Sequence, residues 1–392
     1  MGIFTRLHQR KSDHQIKPPE TGLYHFRWNH GEETSRIHLR LDDDNSGLLI
    51  INANKVFHLN PSAALMAYYT LSGAETDIAA KGLSKRFNVP KSTLRDDFEG
   101  YQNTLLDLIN GTACPICDLD LETTLPFTSK PSAPYRMDLA LTYRCNNSCA
   151  HCYNARSRNF PELKTQDWIE IIDRLWEIRI PHIVFTGGEP TLRDDLPELI
   201  QHAEKNGQIA GLNTNGIKLA DMDFLNTLVK AGLDHVQITL ESHLPDVHDK
   251  MVGHKGAWEQ TVAGIRNVAK TGLYVMTNTT MLTHNSPFIP DTLHFLAELG
   301  VPTVGLNALI YSGRGRYVGT GLEEKDLKPL LTKAKEITTH YGQRLIWYTP
   351  TQYCNFDPLE FDLGVKGCTA ALYNMCLEPD GAVLPCQSYY HP

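Results

Sequence analysis

Cys145, Cys149 and Cys152, in Leu141-Thr-Tyr-Arg-Cys-Asn-Asn-Ser-Cys-Ala-His-Cys-Tyr153, form a C-x3-C-x2-C pattern. Three thiolates held together can bind three irons of a cubane cluster and leave the fourth iron without a protein ligand, open for chemistry. Two plainer readings compete with this one. Positions i, i+4 and i+7 share a helix face, so the cysteines could line an apolar stripe, but Asn146, Asn147 and Ser148 between them favour a turn. Structural zinc would need a fourth protein ligand, with His151 the only near candidate, and it prefers paired knuckles. Clustered thiols on a loop read as a metal site, and the spacing favours a cluster.

The loop follows a short apolar strand and precedes Phe185-Thr-Gly-Gly-Glu-Pro190 and Asn213-Thr-Asn-Gly216. With these motifs in this order, residues 135–320 resemble the radical S-adenosylmethionine (SAM) superfamily. The resemblance implies a 4Fe-4S cluster on Cys145, Cys149 and Cys152 that chelates the methionine amine and carboxylate of SAM. One electron then cleaves the sulfonium to methionine and a 5'-deoxyadenosyl radical, which takes a hydrogen atom from substrate. By the same resemblance Gly187, Gly188 and Glu189 bind the methionine amine, and Asn213 and Asn215 offer amides to ribose or carboxylate. Thr239 and Glu241, in Ile238-Thr-Leu-Glu-Ser242, stand where the family has Ser-Leu-Asp-Gly and are carried over as cofactor contacts, together with Asn278. His248-Asp249 and Gly313-Arg314 match family positions to which the sequence assigns no task.

From residue 137 onward apolar runs and helical patterns alternate as βα units do. Strands are expected over 137–142, 182–186, 210–213, 235–240, 273–279 and 303–306. Helices are expected over 166–178, with Thr165 as N-cap, and over 195–205, 222–231, 258–270 and 290–299. The tryptophans of the first helix read as core. Six such units make an α/β fold, a partial (βα)6 TIM-like barrel over 137–320, whose chemistry belongs at the carboxyl ends of its strands.

Beyond it, Cys368, Cys376 and Cys386 punctuate a Gly/Pro/Asp-rich stretch, and Pro379-Asp-Gly381 predicts a hairpin. Residues 321–392 resemble the auxiliary-cluster region of the SPASM and twitch subfamilies, which implies a second 4Fe-4S cluster. A full SPASM domain carries further cysteines, so the stretch reads as a truncated or half-size version. Its fourth ligand stays open, with Cys354 as one candidate.

Ahead of the barrel, residues 1–20 are basic and poor in apolar residues, which suggests a flexible arm. Residues 21–110 read as four short strands and then three helices, over 61–68, 75–87 and 92–109. That order, with Val56-Phe-His-Leu-Asn-Pro61 leading into the first helix, resembles the winged-helix peptide-recognition domain of pyrroloquinoline-quinone-type peptide chaperones. The resemblance implies capture of a precursor-peptide leader by strand addition at residues 55–59, with the helix from 92 as the other wall. A packing or dimerisation domain and a DNA-reading winged helix are the alternatives, and Asp96, Asp97, Glu99 and Asp107 make a poor face for phosphates. Residues 111–136 are a proline-rich linker holding Cys114-Pro-Ile-Cys117, which could be half a zinc site, cluster ligands or a redox pair.

A formal charge of -8 on 392 residues argues against a generic nucleic-acid binder. No run approaches the roughly 18 apolar residues of a membrane span, so the expected place is the cytoplasm. Nine cysteines there read as metal ligands rather than disulfides. The combined expectation is a radical SAM enzyme that modifies a ribosomally made precursor peptide and draws electrons from a donor such as flavodoxin or ferredoxin. A radical SAM enzyme acting on a small molecule such as a tetrapyrrole side chain, and an iron-sulfur redox sensor, are its rivals.

Overall fold

The computed structural model describes residues 19–30, 33–52, 55–110 and 131–389. Residues 1–18 of the expected arm, most of the expected linker, and Cys114 and Cys117 lie outside the described residues. Two compact units divide the chain, Met1–Thr123 and Thr124–Pro392.

In the first unit β1 (Gly22–His30), β2 (Glu33–Leu41), β3 (Gly47–Ile51) and β4 (Lys55–Leu59) form an antiparallel meander in chain order. Asn45, at φ 69°, makes the turn into β3 with the short polar side chain that tolerates such a backbone. Three helices follow: α1 (Pro61–Leu71), α2 (Thr76–Ser84) and α3 (Lys91–Asn110). The Asn60 side chain caps α1 by accepting from Ala63 N at 2.9 Å, and Pro61 occupies the first turn, where its missing N–H is no loss. One face of the sheet, through Ile37, Leu39, Leu49 and Ile51, packs on Leu105, Leu108 and Ile109 of α3 and on Ala64 and Ala67 of α1. β4 stands at the edge of the sheet, with Lys55, Val56 and His58 exposed.

The second unit alternates strands and helices. Its elements are β5 (Arg136–Thr142), α4 (Thr165–Glu177), β6 (His182–Gly187), α5 (Leu196–Asn206), β7 (Ile209–Thr214) and α6 (Met222–Ala231). Then come β8 (His235–Thr239), α7 (Pro245–Val252), α8 (Ala257–Val268), β9 (Tyr274–Thr280), α9 (Ile289–Glu298), β10 (Thr303–Asn307), α10 (Glu324–His340), β11 (Arg344–Trp347), β12 (Asn374–Leu377) and β13 (Val383–Leu384). The strand order is β11-β10-β9-β8-β7-β6-β5-β12-β13. β5 to β11 run parallel in chain order, so the sheet is an open, partial TIM-type barrel. It extends one βα unit past the expected six, through α10 and β11. β12 then returns to pair in parallel with β5 and turns into the antiparallel β13 at Gly381, φ 90°. The expected hairpin is therefore present, and residues 321–392 add strands to both sides of the barrel sheet.

Strand alternation decides which residues reach the site. Leu139, Leu141, Phe185, Leu212, Val236 and Ile238 are buried in the layer shared with the helices. The alternate positions, among them Asp138, Asn213, Gln237, Thr239 and Asn278, line a half-open cavity of about 750 Å³. One expected cap differs: α4 is capped at Lys164, whose N–H donates to Asp167 at 2.9 Å. Thr165 is already the first residue of the helix, and its hydroxyl donates to Asp195 at 2.7 Å. No helix among the described residues is long and apolar enough to cross a membrane.

Candidate active site

β5 ends at Thr142, and the cysteine loop begins there. Cys145, Cys149 and Cys152 are all partly buried and all line the cavity. The loop has no helix or strand of its own, so its shape comes from neighbours. Ser148 N and Ala150 N donate to Val252 O and Met251 O at the end of α7, at 2.8 and 3.3 Å. The Arg158 guanidinium donates to Cys145 O and Asn147 O. Asn215 Nδ2 donates to Asn146 Oδ1 at 2.7 Å, and His254 Nδ1 lies 3.0 Å from Asn147 Oδ1. The Asn147 amide points at the Cys145 sulfur, 3.4 Å away, as amides do around metal-bound thiolates.

Burial pushes the Cys145 thiol up to about 11 and raises that of Cys149 as well, and the neighbouring thiols add to the rise. Cys145 and Cys149 stay protonated unless a cation compensates them, and iron would do so on ligation. Among the described residues no three His, Cys, Asp or Glu side chains converge on one ion. His151, the conceivable fourth zinc ligand, has its Nε2 2.9 Å from Glu241 Oε1. Three thiols lining one cavity suit a cubane, in which each sulfur takes its own iron.

The Gly-Gly turn after β6 lies against the start of this loop. Gly187 has φ 138°, and a Cβ there would sit 2.2 Å from Thr142 O; one on Gly188 would sit 2.4 Å from Arg144 O. Gly188 N and Glu189 N donate to those same carbonyls, at 2.7 and 2.8 Å. The glycines thus allow two strand ends to meet, and both still line the cavity. The Glu189 side chain is fully buried and is not part of the cavity lining. Its carboxylate accepts from Thr191 N and Oγ1, Thr214 Oγ1 and Asn215 N. Burial pushes this carboxyl upward while those donors pull it back.

Glu241, also buried, joins three elements: Oε1 to His151, Oε2 to Thr280 N at 2.8 Å, and its own N–H to His248 Nδ1 at 3.1 Å. Burial holds His248 below the usual imidazole range. Asp249 accepts from Gly256 N and Trp258 N and so starts α8. These contacts give His248-Asp249 a structural task. Asn213, Asn215, Thr239 and Asn278 line the cavity with Glu241, and the buried Oδ1 atoms of Asn278 and Asn307 have no hydrogen-bond partner among the described residues. Such open acceptors are what a polar ligand requires.

Deeper in the cavity Arg136 and Asp138 form an ion pair, Nε to Oδ1 at 2.9 Å, beside Gln237, which accepts from the Tyr348 hydroxyl at 3.0 Å. Sequence reading passed over this group. A carboxylate interrupting an apolar strand was its one visible signal. Burial raises the Asp138 carboxyl against the pull of Arg136.

Of the C-terminal thiols, Cys368 and Cys386 line the same cavity, Cys376 is buried on β12 beside Ala140, Tyr143 and Leu384, and Cys354 is exposed. Tyr143 and Arg156 meet Glu378 at 2.9 and 3.2 Å, and the Tyr153 hydroxyl donates to Gln387 at 2.7 Å. The C-terminal hairpin is thereby fastened to the cysteine loop.

Residues 139–296 of the second unit match the model of the radical SAM superfamily, a superfamily that implies a 4Fe-4S cluster with SAM. The Fe-coproporphyrin III synthase of Methanosarcina barkeri is 37% identical over 177 residues, 45% of this chain and 44% of that protein. The chain thus matches less than half the length of this curated relative. Among solved structures, Streptococcus suis SuiB bound to precursor peptide SuiA has a TM-score of 0.66 at 16% identity, over 90% of this chain and 82% of that one. AnSMEcpe with bound AdoMet has a TM-score of 0.52 at 16% identity, over 66% and 76% of the two chains. These likenesses establish the fold.

Proposed function

We propose that the chain is a radical SAM enzyme that modifies a ribosomally synthesised precursor peptide whose leader is held by the first unit. Cys145, Cys149 and Cys152 would hold a 4Fe-4S cluster, which would supply an open iron and the electron for reductive cleavage of SAM. The observation that carries this reading is one cavity lined by the three loop thiols, the Gly-Gly turn and the polar strand ends together.

The protein's own residues perform the positioning. Arg158, Asn215 and the carbonyls of Met251 and Val252 fix the thiol loop; Glu189 fixes the backbone of Asn215. Asn213, Thr239 and Asn278 offer amide and hydroxyl groups to the cofactor from the cavity wall. Cys368, Cys376 and Cys386 are assigned to an auxiliary cluster, fed by a flavodoxin or ferredoxin-type donor.

The peptide assignment is supported by β4, an edge strand with exposed Lys55 and Val56, suited to strand addition. The fold likeness to SuiB, which is described with its precursor peptide, is compatible with it. A second reading, action on a tetrapyrrole, is favoured by the name of the Methanosarcina relative. Anisotropy of labelled precursor leader peptides with the full chain separates the two. Retention of a leader that Val56→Pro weakens supports the peptide reading. Binding of coproporphyrin with no leader retained transfers the assignment to the tetrapyrrole.

A further inference from the structure

The segment after β10 carries a feature the proposed function leaves unused. A short 3-10 turn, Gly313–Arg316, lies directly on the last residues of the cysteine loop. Arg314 N donates to Cys152 O at 2.9 Å. Gly313 has φ 53°, and a Cβ there would stand 2.6 Å from Tyr153 O and 2.7 Å from Cys152 O. A Cβ on Gly315 would stand 2.4 Å from Ile310 O and 3.2 Å from His151 O. Both glycines are therefore required for the approach, and the residue between them is placed by its own backbone.

That residue is a cation with no carboxylate partner among the described residues. Arg136 and Arg156, which also line the cavity, are neutralised by Asp138 and Glu378, while Arg158, a further lining cation, is engaged by the carbonyls of Cys145 and Asn147. Among the described residues the Arg314 side chain reaches the Ser148 hydroxyl, Nη1 to Oγ at 3.3 Å, next to Cys149 in the chain. Arg314 also lines the cavity into which the three loop thiols open. A positive charge held beside a partly buried redox centre stabilises the form with one more electron, by an interaction that the exposure of Arg314 to solvent partly screens.

We propose that Gly313-Arg314-Gly315 is a clamp on the cysteine loop, and that the Arg314 guanidinium makes the cluster held by that loop easier to reduce. Arg314 is a positioning residue: one electron arrives from a low-potential donor, and the arginine neither accepts it nor moves a proton. The inference rests on the cofactor reading above.

The test is anaerobic iron-sulfur reconstitution of the full chain as wild type, Arg314→Gln, Arg314→Lys and Gly313→Ala. Iron and sulfide are counted, a dithionite titration is followed by electron paramagnetic resonance, and iron loss to a chelator is timed. Arg314→Gln is expected to hold its cluster with a more negative midpoint potential than wild type, and Arg314→Lys, which keeps the charge, to stay near the wild-type value. Gly313→Ala is expected to lose iron faster. Loaded Arg314→Gln titrating with wild type overturns the electrostatic part, and Gly313→Ala releasing iron at the wild-type rate overturns the clamp. A wild type that takes up no iron overturns the cofactor reading itself, and this inference with it.

Discussion

The Asn215 amide donates to Glu189 Oε2 at 2.8 Å, so the side chain that follows the Gly-Gly turn of one strand shapes the loop after the next. Asn215 in turn reaches Asn146 of the cysteine loop at 2.7 Å. Glu189 therefore acts on the thiol loop through one intermediary, with its carboxylate outside the cavity lining. Glu189→Ala leaves the Thr191, Thr214 and Asn215 donors without their acceptor and is expected to destabilise the metal-free chain by about 2–4 kcal/mol. Glu189→Gln, which keeps one oxygen acceptor, is expected to lose less. Urea unfolding of both variants decides it, and a wild-type midpoint for Glu189→Ala contradicts the structural role.

Gly188→Ala puts a methyl group within 2.4 Å of Arg144 O, so the turn and the loop have to separate. The expected result is a folded protein, by circular dichroism, that incorporates well under half the wild-type iron. Full incorporation contradicts the close approach.

Much of this arrangement was legible in the sequence because its strands are short apolar runs bounded by turn residues, and the motifs sit at their ends. β6 and β7 appear within a residue of where 182–186 and 210–213 placed them. β11 and α7 were not read, since Arg344–Trp347 is four residues of mixed polarity and Pro245–Val252 has little apolar face. The stripe of Leu327, Leu331, Ala334 and Ile337 on α10 was available at helical spacing but lay among many charges. Contacts such as Arg158 on the carbonyls of Cys145 and Asn147 leave no periodic trace, because a guanidinium on a backbone carbonyl depends on where a loop folds. The role of Gly187 and Gly188 was read as close approach to a ligand. The structure adds that the nearest atoms to their missing side chains are backbone atoms of the cysteine loop and of Thr142 just before it.

His235, whose Nε2 lies 2.8 Å from that of His182, is pushed down to about 4 by burial and by Arg136. Its unfolded value is about 6.5. The folded state thus holds the neutral ring, its contribution is complete above about pH 6.5, and it is lost as pH falls towards 4. Stability of the metal-free chain is expected to drop by on the order of 2–3 kcal/mol over that interval from this group. His235→Gln should flatten the dependence in urea titrations at several pH values, and an equal slope in the variant contradicts the assignment.

Replacing Cys368, Cys376 and Cys386 together by Ala removes the thiols assigned to the auxiliary cluster. Iron per chain is expected to fall from about eight to about four, with the SAM-binding cluster retained. Unchanged iron content contradicts an auxiliary cluster on these residues.

The most direct test of the central claim is to reconstitute the wild-type chain and a Cys145/Cys149/Cys152→Ala variant without oxygen, add SAM and dithionite, and quantify 5'-deoxyadenosine. The account predicts nucleoside from the wild type and none above background from the variant. A wild type that binds zinc in place of iron, or that leaves SAM intact under strong reduction, contradicts it.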